Sequence, residues 1–68
     1  YGGAIYNAAN EIAVQRFIAE AICFTDIPKI IQHALKNIQV PDTLSLSSLL
    51  QIDQDTRDYA LKLDPKKL

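Results

Sequence analysis

Methionine is absent from all 68 residues of the chain. A chain without it cannot begin at its own initiator, so the sequence reads as an excerpt of something longer. Cysteine and histidine occur once each, as Cys23 and His33. One thiol excludes an internal disulfide, and between Ile22 and Phe24 a buried, inert thiol in a reducing compartment is the expected state. With so few soft ligands, and with His33 on the polar side of its segment, no zinc site is expected. Glycine is confined to Gly2 and Gly3, ahead of any strand, so there is no glycine-rich phosphate loop. Seven basic residues against eight acidic ones leave a net charge of -1, too little to draw in nucleic acid or an anionic membrane. No apolar run nears the length of a membrane span, and no basic start precedes an apolar core as a secretory leader would require. Nor is any nucleophile set beside a positioned base. No catalytic, cofactor-binding or metal-binding residue is expected within this chain.

What is present is helical. Hydrophobic residues make up 49% of the chain, enough for one small domain with a thin core. From Ala4 to Glu20 there is no breaker, and at about 100° per residue Ile5, Ala9, Ala13 and Phe17 fall on one arc that continues through Tyr6, Asn10, Val14 and Ile18. So wide an apolar arc predicts a central helix touched from more than one side, with Gly2 and Gly3 as the preceding turn. Ile27, Ile30, Ile31, Ala34, Leu35 and Ile38 then mark a second helix, with Thr25 or Asp26 as N-cap and Pro28 in the first turn. Pro41 breaks the pattern. The stretch 44–52 suits a strand by its Leu-Ser alternation and a short helix by Leu46, Leu49 and Leu50 after a Ser45 cap. The short helix is favoured, because a lone strand would have no partner. Ile52, Thr56, Tyr59, Ala60 and Leu63 predict a last helix, capped by Asp53, with Asp53/Arg57 and Asp58/Lys62 as i,i+4 pairs. Pro65 ends it, and the remainder reads as a frayed tail. The expected class is all-α: a small antiparallel bundle of three sizeable helices and one short one.

Asn7 and Asn10 stand out, each weakening the first helix by a few tenths of a kcal/mol relative to alanine. Asn10 lies between Tyr6 and Val14 on the apolar arc, where an unpartnered amide costs about 1 to 3 kcal/mol, so a hydrogen-bonding partner is expected. Asn7 lies at the edge of that arc beside Glu11. Three readings remain open: a structural amide pair, Asn7 as a helix cap, or contact with a ligand. Glu11 with Gln15, and Arg16 with Glu20, read as solvated surface pairs.

"YNAANEIAVQRFI", then "FTDIPKIIQHAL", then "DQDTRDYA" resemble in order and spacing the C-terminal helical domain of the 1-deoxy-D-xylulose 5-phosphate reductoisomerase family. Asn7, Ala8, Ala9, Asn10, Glu11, Phe24, Asp26, Ile27, Asp53 and Arg57 are the matching positions. Tyr6, where the family usually has leucine, and the loose "DTLSLSSLL" depart from it. The resemblance implies a parent enzyme that isomerises and reduces 1-deoxy-D-xylulose 5-phosphate with NADPH and a divalent metal (Mg or Mn), acting as a homodimer in a bacterial cytoplasm or a plastid-type organelle. It places nucleotide, metal and substrate on domains absent from this sequence. Residues 1–68 are then a non-catalytic segment, with Asn7, Asn10 and Glu11 as candidates for contact with the remaining domains. The family's further upstream helix would make this an incomplete four-helix bundle, expected to self-associate when isolated. The competing reading is a stand-alone helical module that accepts a partner helix.

Overall fold

A computed structural model describes all residues 1–68 and contains helices only: α1 (Gly2–Ile18), α2 (Asp26–Asn37), α3 (Leu46–Lys62) and one 3₁₀ turn (Pro65–Lys67). The all-α expectation is met. α1 lies between the other two and packs along both, whereas α2 and α3 touch only sparingly. Only the Ile5–Ala9–Ala13 side of the expected arc is covered by these two helices; Tyr6, Phe17 and Ile18, on the same arc, stay exposed. Ala8, Ala9 and Ala13 are fully buried there, and their small side chains let the neighbouring helices close in on Ile5, Ile30, Ile31, Ile52 and Ala60.

Several local expectations need correction. Gly2 and Gly3 are the first residues of α1, not a turn before it; Tyr1 stands at the N-cap, and its phenol donates to the Thr43 carbonyl, tying the chain start to the α2–α3 loop. The short helix at 46–50 and the last helix are one continuous 17-residue helix. Ser45 caps it, accepting from the Ser48 N–H at 3.1 Å. Asp53 is consequently a mid-helix residue and not a cap: nothing between Leu50 and Gln54 breaks the backbone, so the helix begun at Ser45 runs on. The Asp58/Lys62 pair does not form; Asp58 accepts instead from Gln54 Nε2 at 3.0 Å. The tail is not frayed, since Asp64 accepts from the Lys66 N–H at 3.0 Å and Pro65 is buried in a turn that reaches α2.

Helix ends carry most of the remaining surprises. α1 closes in a Schellman arrangement, Glu20 N–H to Phe17 O at 2.9 Å and Ala21 N–H to Arg16 O at 2.9 Å, which holds Glu20 at a φ of 62°, the left-handed region usually given to glycine. Arg16 is not a solvated partner of Glu20. Its Nη1 donates to Ala60 O at 2.7 Å and Leu63 O at 2.8 Å, satisfying carbonyls left free at the C-terminus of α3. At the start of α2, Thr25 makes no side-chain cap bond; the nearly buried Asp26 carboxylate turns back to accept from the Cys23 N–H at 2.9 Å. Cys23 itself is exposed, because the loop that carries it runs over the surface.

Thr56 is fully buried in α3, and its Oγ1 has no hydrogen-bond partner. Thr56→Val keeps the shape and removes that unsatisfied hydroxyl. It is expected to stabilise the chain by about 1 kcal/mol, seen as a higher midpoint in urea denaturation followed by circular dichroism. An unchanged or lower midpoint would contradict this account of the site.

Candidate functional site

Successive turns of α1 bring Asn7, Asn10, Glu11, Val14 and Gln15 to one side of the helix, where they line an open groove against Asp53 and Arg57 of α3. The three residues singled out in the sequence thus share one surface. Arg57 organises it. Its Nε donates to Asp53 Oδ2 at 2.8 Å within the helix, and its Nη2 donates to Glu11 Oε2 at 3.1 Å across to α1. The hydrogen bond to Asp53, then that to Glu11, hold the guanidinium protonated well beyond its ordinary value. The Asp53/Arg57 pair expected from i,i+4 spacing is present. The reach to Glu11 was not legible, because it depends on how α3 lies along α1.

Neither asparagine makes the bonds expected of it. Asn10 is half-buried and Asn7 exposed, and neither side-chain amide has a partner in the chain. They do not pair with each other, since residues three apart on this face both point into the open groove. Asn7 does not cap α1, which starts five residues earlier. Asn10 escapes the cost of a buried unsatisfied amide because it sits at the rim of the apolar arc, with water access on the groove side.

The groove does not suit a divalent metal. No three His, Cys, Asp or Glu side chains converge anywhere in the chain, and the two carboxylates of the groove are both occupied by Arg57. No strand is present to carry a phosphate-binding turn. What remains is a set of free amide donors and acceptors beside an ion-paired arginine. Such a surface can receive main-chain or side-chain polar groups from another protein segment.

No helix is long and apolar enough to cross a membrane. The family model described as DXP reductoisomerase C-terminal domain matches residues 2–59. Among curated relatives, the 1-deoxy-D-xylulose 5-phosphate reductoisomerase of Pseudothermotoga lettingae is 50% identical over 60 residues, 85% of this chain and 16% of that protein. That of Leptospira biflexa is 48% identical over 61 residues, 85% of this chain and 16% of its own length. That of Blochmanniella pennsylvanica is 44% identical over 59 residues, 87% and 15% respectively. The chain therefore spans about one sixth of the relatives it matches. No solved structure matches it.

Proposed function

Because the chain belongs to the DXP reductoisomerase C-terminal domain family, we propose that it is the helical support of a larger enzyme that converts 1-deoxy-D-xylulose 5-phosphate to 2-C-methyl-D-erythritol 4-phosphate. The parent supplies NADPH and divalent-metal sites from its other domains and works as a homodimer, in the cytoplasm of a bacterium or in a plastid-type organelle. The observation that carries this reading is the family match across residues 2–59. The Asn7/Asn10/Glu11 groove packs against the remaining domains, which supply the partners that the two amides lack here. The stand-alone helical adaptor draws no support from the relatives named above, which are enzymes by name.

Asn10→Ala separates these roles by the sign of its effect. In the 68-residue chain, at dilutions where it is monomeric, the substitution removes no hydrogen bond and is expected to stabilise α1 by about 0.5 kcal/mol. In the complete enzyme it is expected to destabilise by about 1 to 2 kcal/mol, through loss of a bond made across the groove, while turnover assayed below the melting transition falls less than about threefold. Thermal denaturation of both forms and a steady-state NADPH oxidation assay read the outcome. A large loss of turnover at unchanged stability would overturn the supporting role, as would turnover by residues 1–68 alone.

A further inference from the structure

Residues 63–68 add no long helix to the bundle, yet contacts to two other helices converge on them. α3 ends at Lys62, and the Leu63 carbonyl just beyond it accepts from Arg16 Nη1 at 2.8 Å, the same nitrogen that donates to Ala60 O at 2.7 Å. Asp64 then caps the following turn, accepting from the Lys66 N–H at 3.0 Å, and within that turn Pro65 is buried where it reaches α2. A crevice of about 400 Å³ is lined by Asp64, Pro65 and Lys66 of the turn and by Ile22, Cys23 and Asp26, so the turn lies alongside the entry to α2. Elsewhere α2 and α3 touch only sparingly.

The order of these contacts along the chain makes one depend on the other. Leu63 and Asp64 are both extended, at ψ 130° and 107°, and a residue that precedes proline is held to that geometry, so little slack separates the Leu63 carbonyl from the Pro65 ring. Fixing the carbonyl therefore fixes where the ring lands. Arg16 makes no hydrogen bond to α2; both of its bonds go to Ala60 and Leu63. We infer that residues 63–68 are a latch that Arg16 closes: its grip on the Leu63 carbonyl seats Pro65 against α2, so a side chain of α1 couples the two helices that hardly meet. With the grip lost, the turn swings away and the ring returns to water, which removes the apolar burial that closure provides. The latch lies beyond residues 2–59, the stretch that the family model matches, and the inference does not depend on the proposed role in the parent enzyme.

A double-mutant cycle on the 68-residue chain tests this, by urea denaturation followed at 222 nm. All four chains are measured in about 1 M trimethylamine N-oxide, which is excluded from protein surface and keeps a native baseline for the weakest of them. Arg16→Ala is expected to lower the folding equilibrium constant about thirtyfold and Pro65→Ala about tenfold. Because both changes open the same turn, the double variant is expected to stay within about threefold of Arg16→Ala alone. A loss near three hundredfold, the product of the two, means independent contacts and overturns the latch, as does a Pro65→Ala chain no weaker than the unsubstituted one. Lys67→Ala, exposed in the same turn, is expected to change the constant less than about twofold; an effect equal to that of Pro65→Ala would overturn the seating of the ring. In amide spectra without urea, Arg16→Ala is expected to move the Asp26 and Ile27 resonances in the same direction as Pro65→Ala does. Resonances of α2 that stay in place in Arg16→Ala would overturn the coupling.

Discussion

Ile30→Ala is expected to leave the chain largely unfolded at 25 °C. Ile30 is one of only two large side chains with no exposed surface, and it stands where α2 meets the alanine-lined side of α1. Truncation removes three carbons from a fully enclosed site, and the alanines that share its core, Ala9, Ala13, Ala34 and Ala60, have only methyl groups, too short to reach into the space. Cavity formation adds to the lost transfer energy, for a cost of about 3 to 4 kcal/mol. A core of this size rarely supplies more than about 3 to 5 kcal/mol in total, so the substitution removes most of the margin. Urea titration followed at 222 nm should show no native baseline, or a midpoint close to zero denaturant. Leu35→Ala serves as comparison: the same helix loses an apolar side chain that is 42% exposed, and the shift should be under about 1 kcal/mol. Equal effects from the two would mean that the packing described here is not the packing that holds the chain together.

Arg16→Ala should be the most damaging change of a charged residue. Arg16 is half-buried, and one nitrogen serves the carbonyls of both Ala60 and Leu63. Its removal leaves those two acceptors without a protein partner and strips the aliphatic stem from the α1–α3 contact. A loss of about 2 kcal/mol follows from one doubly used charge-assisted donor and the lost packing. In native-state hydrogen exchange, the amides of Tyr59 to Leu63 should lose protection ahead of those in α2. If α2 and α3 lose protection together and by the same amount, Arg16 is not acting through the end of α3. Arg57, the other arginine on this interface, holds its partners at the rim of an exposed groove, where solvent screens the pair. Its replacement should matter much less to the isolated chain.

The helices were legible from periodicity, because Ile30, Ile31 and Ala34 repeat at the spacing of a buried face and Ser45 announces the start of α3. Breaks in that pattern were harder to read. Asp53 has the chemistry of a cap and none of the context, since a capping residue can sit mid-helix whenever the preceding turn is already helical. Glycine at positions 2 and 3 suggests a turn, yet helix propagation from Tyr1 overrides its propensity. The site was half visible. Spacing alone put Asn7, Asn10 and Glu11 on neighbouring faces and Asp53 four residues before Arg57. That these two sets meet, and that Arg16 closes a helix 44 residues away, are facts of tertiary docking with no local signature. Cys23 shows the converse failure: apolar neighbours in sequence suggested burial, but Phe24 is itself exposed and meets Phe17 edge-on at the surface.

The central position of α1 also sets the order in which the chain can assemble. Contacts between α1 and α2 close a short loop, whereas Glu11–Arg57 and Arg16–Ala60 must bring together residues more than 40 apart, at a greater entropic cost. Because α2 gives α3 little to hold, α3 docks almost entirely on α1, and its long-range contacts form most readily once the α1–α2 hairpin has set α1 in place. During synthesis from the N-terminus the two helices of that hairpin emerge first. The last helix then reaches a template whose receiving surface is ready, and it is the first element to come away when the molecule begins to open.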